Sequence, residues 1–151
     1  MSVLVTDAGF QPDDWCGEFV PAARLSQHPC AVGLGVDVEG DVECGGDGWG
    51  WAVATAEALR PWFAAIVLLR IGFPHFCAGG CFELAHRLRA LGFSGRLRAR
   101  GNILAHEYTL ARRAGFDEVE ISAAMALRQP EEHWRLLGHW RHGRYRSRMP
   151  A

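Results

Sequence analysis

Lysine is absent from this 151-residue chain: all sixteen basic side chains are arginine, set against seventeen acidic ones for a formal net charge of −1. A chain this close to neutral presents no general polybasic surface for nucleic acid. With lysine missing, guanidinium is the only permanently charged cation, and it is the better fork for carboxylates and small oxyanions. A GC-rich genome produces the same bias. Long apolar runs are also lacking. The longest, Trp62 to Leu69, is strand-sized and falls well short of the roughly 18 residues a membrane span requires. The opening residues lack the basic-then-apolar pattern of a secretory signal. The five cysteines are odd in number and irregular in spacing, which does not describe a disulfide framework. The expectation is a reducing, bacterial-type cytoplasm with no membrane and no nucleic-acid partner. No G-x-G-x-x-G precedes a helix, so the dinucleotide fingerprint is missing and any cofactor stays unknown at this point.

What the chain does hold is apolar material, at 49% with six tryptophans and eight phenylalanines, enough for a folded core. The order of its patterns predicts an α/β fold. The first thirty residues read as a hairpin and connecting arm, VLVT, a turn at DAG, then FQPDDW. Residues 31–151 read as a single domain of about four βα units. AVGLGVDV is the first strand, and GDVECGGDGWGW a glycine-rich loop carrying Trp49 and Trp51. AVATAEALRPWF is a helix stopped by Pro61, and AAIVLLRI the second strand. After the bend FPHFCAGG, the segment CFELAHRLRALG puts Phe82, Leu84, Ala85, Leu88 and Leu91 on one helical face, with Gly92 as its stop. GRLRARG is a third strand, and Asn102 is the expected N-cap of ILAHEYTLARRA. EVEIS is a fourth strand, and PEEHWRLLGHWRHGRY a final helix. Repeated strand–helix alternation requires parallel strands joined by right-handed crossovers. The length is too small for an eight-fold barrel, which leaves an open sheet or half-barrel.

Charges stand out on these strands. Arg96, Arg98 and Arg100 alternate onto one face of GRLRARG, Arg70 closes AAIVLLR, Asp37 sits late in its strand, and Glu118 and Glu120 alternate in EVEIS. Each charge is expected near the C-terminal end of its strand, where open α/β sheets bind ligands. One reading is a pocket in which Arg70, Arg98 and Arg100 hold a small oxyanion while Asp37 and Glu120 orient them. The other is a set of structural ion pairs, since buried charges are normally paired.

His75, Cys77, Cys81 and His106 could supply thiolate and imidazole ligands to a metal, but one C-x₃-C is short of the paired spacing of a structural zinc site. Cys77 or Cys81 at a helix start could be a reactive thiol, though buried inert cysteine is the commoner state. Gly79-Gly80 could expose backbone N–H groups to an anion. Trp49, Trp51, Trp134 and Trp140, among arginines, could anchor a protein partner or a second copy.

The motifs FPHF, GG.F..A.RLR, GFSGRLRARGNIL and RRAGFDEVEI, in that order between Phe73 and Ile121, resemble a bacterial family called domain of unknown function 934. Its members are often labelled oxidoreductases probably involved in sulfite reduction, because their genes tend to lie beside sulfite reductase genes. The resemblance implies an accessory protein of sulfur assimilation. The match lies mostly in scaffold positions: Phe73, Pro74, Phe76, Gly79, Phe82, Gly92, Phe93, Gly95, Gly101, Gly115, Phe116 and Asp117, with Arg98 the chief polar one. Where the family has an aspartate and an arginine flanking the first glycine of the bend, this chain has Ala78 and Gly80. Glu83 replaces a serine, and His106-Glu107 an Asp-Gln pair. The resemblance therefore also implies a divergent paralogue, and a second reading in which the scaffold survives as a non-catalytic assembly or interaction subunit.

Overall fold

The computed structural model describes residues 2–40, 48–74, 79–138 and 140. His75, Cys77 and Ala78 of the bend, Cys44 of the glycine-rich loop and the arginines beyond Trp140 lie outside the described residues.

The expected α/β architecture is present. Among the described residues seven strands form one open sheet: β1 (Ser2–Thr6), β2 (Gly9–Gln11), β3 (Phe19–Pro21), β4 (Leu34–Glu39), β5 (Ile66–Phe73), β6 (Arg96–Gly101) and β7 (Glu118–Ser122). Their spatial order is β2-β1-β7-β6-β5-β4-β3. Strands β3 to β7 run parallel in simple succession, and the hairpin β1-β2 adds antiparallel to β7. Right-handed crossovers between successive neighbours all return over the same side of the sheet. The helices α1 (Gly48–Leu59), α2 (Gly79–Ala90), α3 (Tyr108–Ala114), α4 (Ala123–Arg128) and α5 (Glu131–Leu137) accordingly share one core. That core joins Ala52, Leu84, Ala111, Met125 and Trp134 from the helices to Val36, Leu69, Leu97, Val119 and Val5 from the strands.

Strand side chains alternate between faces, so the residues between these core positions point to the side that no helix among the described residues covers. This resolves the charged strands. A parallel sheet covered on both faces reads as continuous apolar runs, whereas this one has a helix side of Val, Leu, Ile and Ala and a second side that carries the charges.

Among the described residues, a strap alone crosses the second side. β2 and β3 are the two outer strands, yet they are consecutive in the chain. Six interstrand steps amount to roughly 29 Å, while the chain from Gln11 to Phe19 reaches at most about 29 Å when fully extended. Residues 12–18 form neither helix nor strand. They span the sheet from edge to edge with little slack.

Several local expectations change. Gly48 to Trp51 begin α1 instead of ending a loop. Gly79 and Gly80 form the first turn of α2, with Gly48 packed against Gly80. Asn102 is not the N-cap of a helix among the described residues. The turn before α3 starts after Leu104, whose N–H donates to Glu107 Oε2 at 2.9 Å. A short helix not expected from the sequence, α4, precedes the final one, and α5 starts after Pro130 as expected but ends at Leu137, the arginine-rich remainder lying outside the described residues.

Apart from Phe76, which lies outside the described residues, the scaffold residues behind the family resemblance lie in strands, helices and the turns between them. Phe73, Phe82 and Phe116 form a ring triangle with centroids 5.1, 5.7 and 6.5 Å apart, the geometry aromatic pairs prefer. Gly115 ends α3 at φ +119°, where a side chain is strained. Asp117 accepts from the Leu97 N–H and from Arg89, tying the start of β7 to β6.

Candidate functional site

Register alone brings the charges together. Asp37 on β4 lies opposite Arg70 on β5, Arg70 opposite Arg98 on β6, and Arg98 opposite Glu118 on β7. One step further along, Arg100 lies opposite Glu120. In-register parallel neighbours share a face, so these residues form a transverse row across the helix-free side. The row crosses mid-sheet, and Arg96 and Glu118 are the first residues of their strands. The expectation that every charge gathers at C-terminal strand ends does not hold, because register, not strand polarity, lines them up.

Arg98 is at the centre and is 0% exposed. Its Nε donates to Glu118 (2.9 Å), Nη1 to Glu120 (3.3 Å) and Asp13 (3.1 Å), and Nη2 to Asp13 (3.1 Å). Arg70 holds Asp37 through two parallel bonds of 2.6 and 2.7 Å, reaches Glu120 at 3.3 Å and lies over the Phe19 ring at 3.7 Å. Arg96 bridges Glu118 (2.8 Å) and Asp14 (2.9 Å). Fork-on-carboxylate pairs of this kind are the strong form of the interaction. Burial pulls the Arg70 and Arg98 guanidiniums down, but their carboxylate partners outweigh it and hold both firmly charged.

Two of these carboxylates belong to the strap. Partial burial pushes the Asp13 carboxyl up. The Trp15 backbone N–H and Arg98 overcome that and hold it below the usual range. Arg96 lowers Asp14 mainly through their hydrogen bond. Trp15 lies on Gly35, where an added Cβ would sit 2.6 Å from the indole, and packs against Phe19 at 5.7 Å. Among the described residues, three guanidiniums thus meet five carboxylates in one connected network.

The other candidate residues disperse. Arg100, two positions beyond Arg98, is exposed and forms no ion pair among the described residues. With Ser2, Asn102, Glu120 and Ser122 it lines an open depression of about 350 Å³. Cys81 is buried, its Sγ 3.7 Å from the Gly72 carbonyl oxygen. His106 is exposed on the turn before α3, and His75 and Cys77 fall outside the described residues. Among the described residues no three His, Cys, Asp or Glu side chains gather as a metal-ligand set. Trp134, expected as an interface anchor, is 0% exposed and meets Tyr108 edge-on, a core position in this chain. Trp49 is 55% exposed and sits 5.3 Å from the Arg87 guanidinium. Trp51 is half-buried, and Trp140 donates to Asp7 while Arg112 covers its ring.

Asp13 and Asp14 were not legible as site residues, since FQPDDW reads as the second extended piece of an N-terminal hairpin and arm. The one available signal was the run of charged residues beside a tryptophan in a linker between two short strands.

The model of a family described as a bacterial protein of unknown function (DUF934) matches residues 51–150. No curated protein and no solved structure matches the chain. No helix among the described residues is long and apolar enough to cross a membrane.

Proposed function

The chain belongs to this family, and from that premise we propose that it is an accessory protein of bacterial sulfur assimilation, related to sulfite reduction, that acts as an assembly or interaction subunit. The observation that carries this reading is the occupation of the charged face by the chain's own groups. Arg70 and Arg98 spend their forks on Asp37, Asp13, Glu118 and Glu120, so neither buried guanidinium is free to grip a substrate, and on that face exposed Arg100 is the arginine without an ion pair among the described residues. The sulfur setting comes from the family label alone. The interaction role is supported by Trp49, 55% exposed on α1, because tryptophan is a typical interface anchor.

Isolation of the native protein under mild conditions tests this. Recovery in a stoichiometric complex with sulfite-reducing enzymes is expected, with Trp49→Ala weakening it. A protein that runs alone at physiological concentration, or a complex indifferent to every surface substitution, would overturn it.

A second reading rests on Arg100. Its exposed guanidinium beside Ser2, Asn102 and Ser122 lies at the C-terminal end of β6, the place where an α/β sheet offers a ligand site. Sulfite or sulfate binding that vanishes in Arg100→Ala would favour it.

A further inference from the structure

We propose that the depression beside Arg100 binds a short zwitterion of the α-amino-acid class, its ammonium group held by Glu120 and its carboxylate by Arg100. This goes beyond the subunit role, and it gives the depression a different ligand from the sulfite or sulfate of the second reading.

Strand ends build the site. β6 ends at Gly101, β7 ends at Ser122 and antiparallel β1 begins at Ser2, so the three meet at one end of the sheet. Arg100 and Glu120 are in register on neighbouring strands and share the strap side. With Ser2, Asn102 and Ser122 they line the open volume of about 350 Å³. A hollow with a few convergent polar groups, outside the carboxyl ends of parallel strands, is where such a sheet takes a small molecule.

Glu120 decides the class of ligand. The residue is 7% exposed, and both of its bonds, from Arg70 and Arg98, fall on Oε2 at 3.3 Å. Oε1 accepts no hydrogen bond among the described residues, although an ionised carboxylate accepts on both oxygens. Nor is Oε1 sealed in: among the described residues the buried side-chain atom without a partner is the Trp15 indole nitrogen. A charged group more than nine-tenths buried gains from a donor at its unused oxygen. Arg100 is the complementary case, exposed and without an ion pair among the described residues. Although the two charges lie in register, Glu120 turns toward Arg70 and Arg98 instead.

The surrounding charge favours a cation at Glu120 over a further anion. In the network behind it three guanidiniums face five carboxylates, an excess of two negative charges. A dianion seated on Arg100 meets that negative wall, whereas an ammonium group satisfies it. A ligand with one charge of each sign answers both sides of the hollow. Ser122 Oγ already accepts from the Met125 N–H, which leaves its O–H to donate, and the Asn102 amide and Ser2 hydroxyl add donors and acceptors.

The test titrates the full chain with alanine, ethylamine, propionate and sulfate, reading NMR shifts of the backbone amides of residues 100–102 and 120–122. Alanine is expected to move them and to bind about tenfold or more tightly than ethylamine or propionate, since each fragment makes one of the two charge-assisted contacts. Arg100→Ala should lower alanine to the level of ethylamine and abolish the propionate response. Glu120→Gln should weaken alanine and ethylamine and leave propionate bound. If that variant fails to fold, the fragment comparison and Arg100→Ala decide. Alanine no tighter than either fragment, alanine unmoved by Arg100→Ala, or shifts confined to other parts of the chain overturn the proposal. Sulfate bound more tightly than alanine also overturns it and returns the depression to the second reading. None of these outcomes depends on the native complex, so the subunit reading stands or falls separately.

Discussion

Arg98→Met separates a structural arginine from a surface one within a single strand. The guanidinium is fully buried and makes four hydrogen bonds to three carboxylates among the described residues. Methionine fills much of the stem volume but leaves Asp13 without its cation, while Glu118 retains Arg96 and Glu120 retains Arg70. Removing one partner of a buried ion pair costs about 3–5 kcal/mol, because the remaining charge stays desolvated. The two carboxylates that keep a second arginine pull the expected loss toward the lower end. For a chain of this size each kcal/mol moves the thermal midpoint by roughly 2–4 °C, so a fall on the order of 10 °C is expected. The comparison is Arg100→Met, on the same face two residues further along, where the side chain is exposed and unpaired among the described residues. That change should stay within about 0.5 kcal/mol. Urea and thermal denaturation of both variants, followed by circular dichroism, make the measurement. If Arg98→Met melts within 2 °C of wild type, or if the two variants fall together, the network is not the structural centre argued above.

Acid should destabilise the fold through Asp7, Asp13 and Asp14, each held below the usual aspartate range. For Asp7, partial burial pushes up, and the bonds from Arg112 and Tyr108 more than reverse it. Because the folded state binds these protons less readily than the unfolded chain, their stabilisation is present above about pH 4 and is lost as pH falls through the folded values. Urea midpoints measured between pH 7 and pH 3 should decline over that lower range, with a shallower decline in Asp7→Asn. Trp134→Ala should cost about 3–5 kcal/mol, as expected for a buried large aromatic. Trp49→Ala should lose less than about 1 kcal/mol, the scale of an exposed cation–π contact; similar losses in the two denaturation curves would contradict the core-versus-surface assignment. At Gly95, an added Cβ would sit 2.6 Å from the Phe93 ring and 2.9 Å from the Val67 carbonyl oxygen. Gly95→Ala should therefore cost about 1–3 kcal/mol through overpacking, and an unchanged urea midpoint would show that β6 can shift to accept it.

The α/β class, the parallel order and the positions of the four main strands were legible because they rest on local signals. β-branched runs, period-two alternation and glycine stops act within a few residues, and Arg96, Arg98 and Arg100 had to share a face whatever the fold. Short-range reading failed where two patterns overlapped. GWGW looks like a loop by its glycines, yet it starts a helix because α1 packs against α2. Asn102 looks like a cap, yet Glu107 does the work from inside the turn.

The meaning of the charges was beyond the sequence. Alternation places three arginines on one side of β6, but it does not say which side the helices cover or what faces the arginines. Both follow from the sheet order, which sets Asp37, Arg70, Arg98 and Glu118 in one row. The contribution of Asp13 and Asp14 depends on contacts some eighty residues away in the chain. Those contacts exist only because β2 and β3 end on opposite edges of the sheet, which obliges a short linker to cross the face between them. Local propensity determined the elements. Which carboxylate meets which arginine was decided by tertiary geometry, since ion pairs form through space and carry no periodic trace in the sequence.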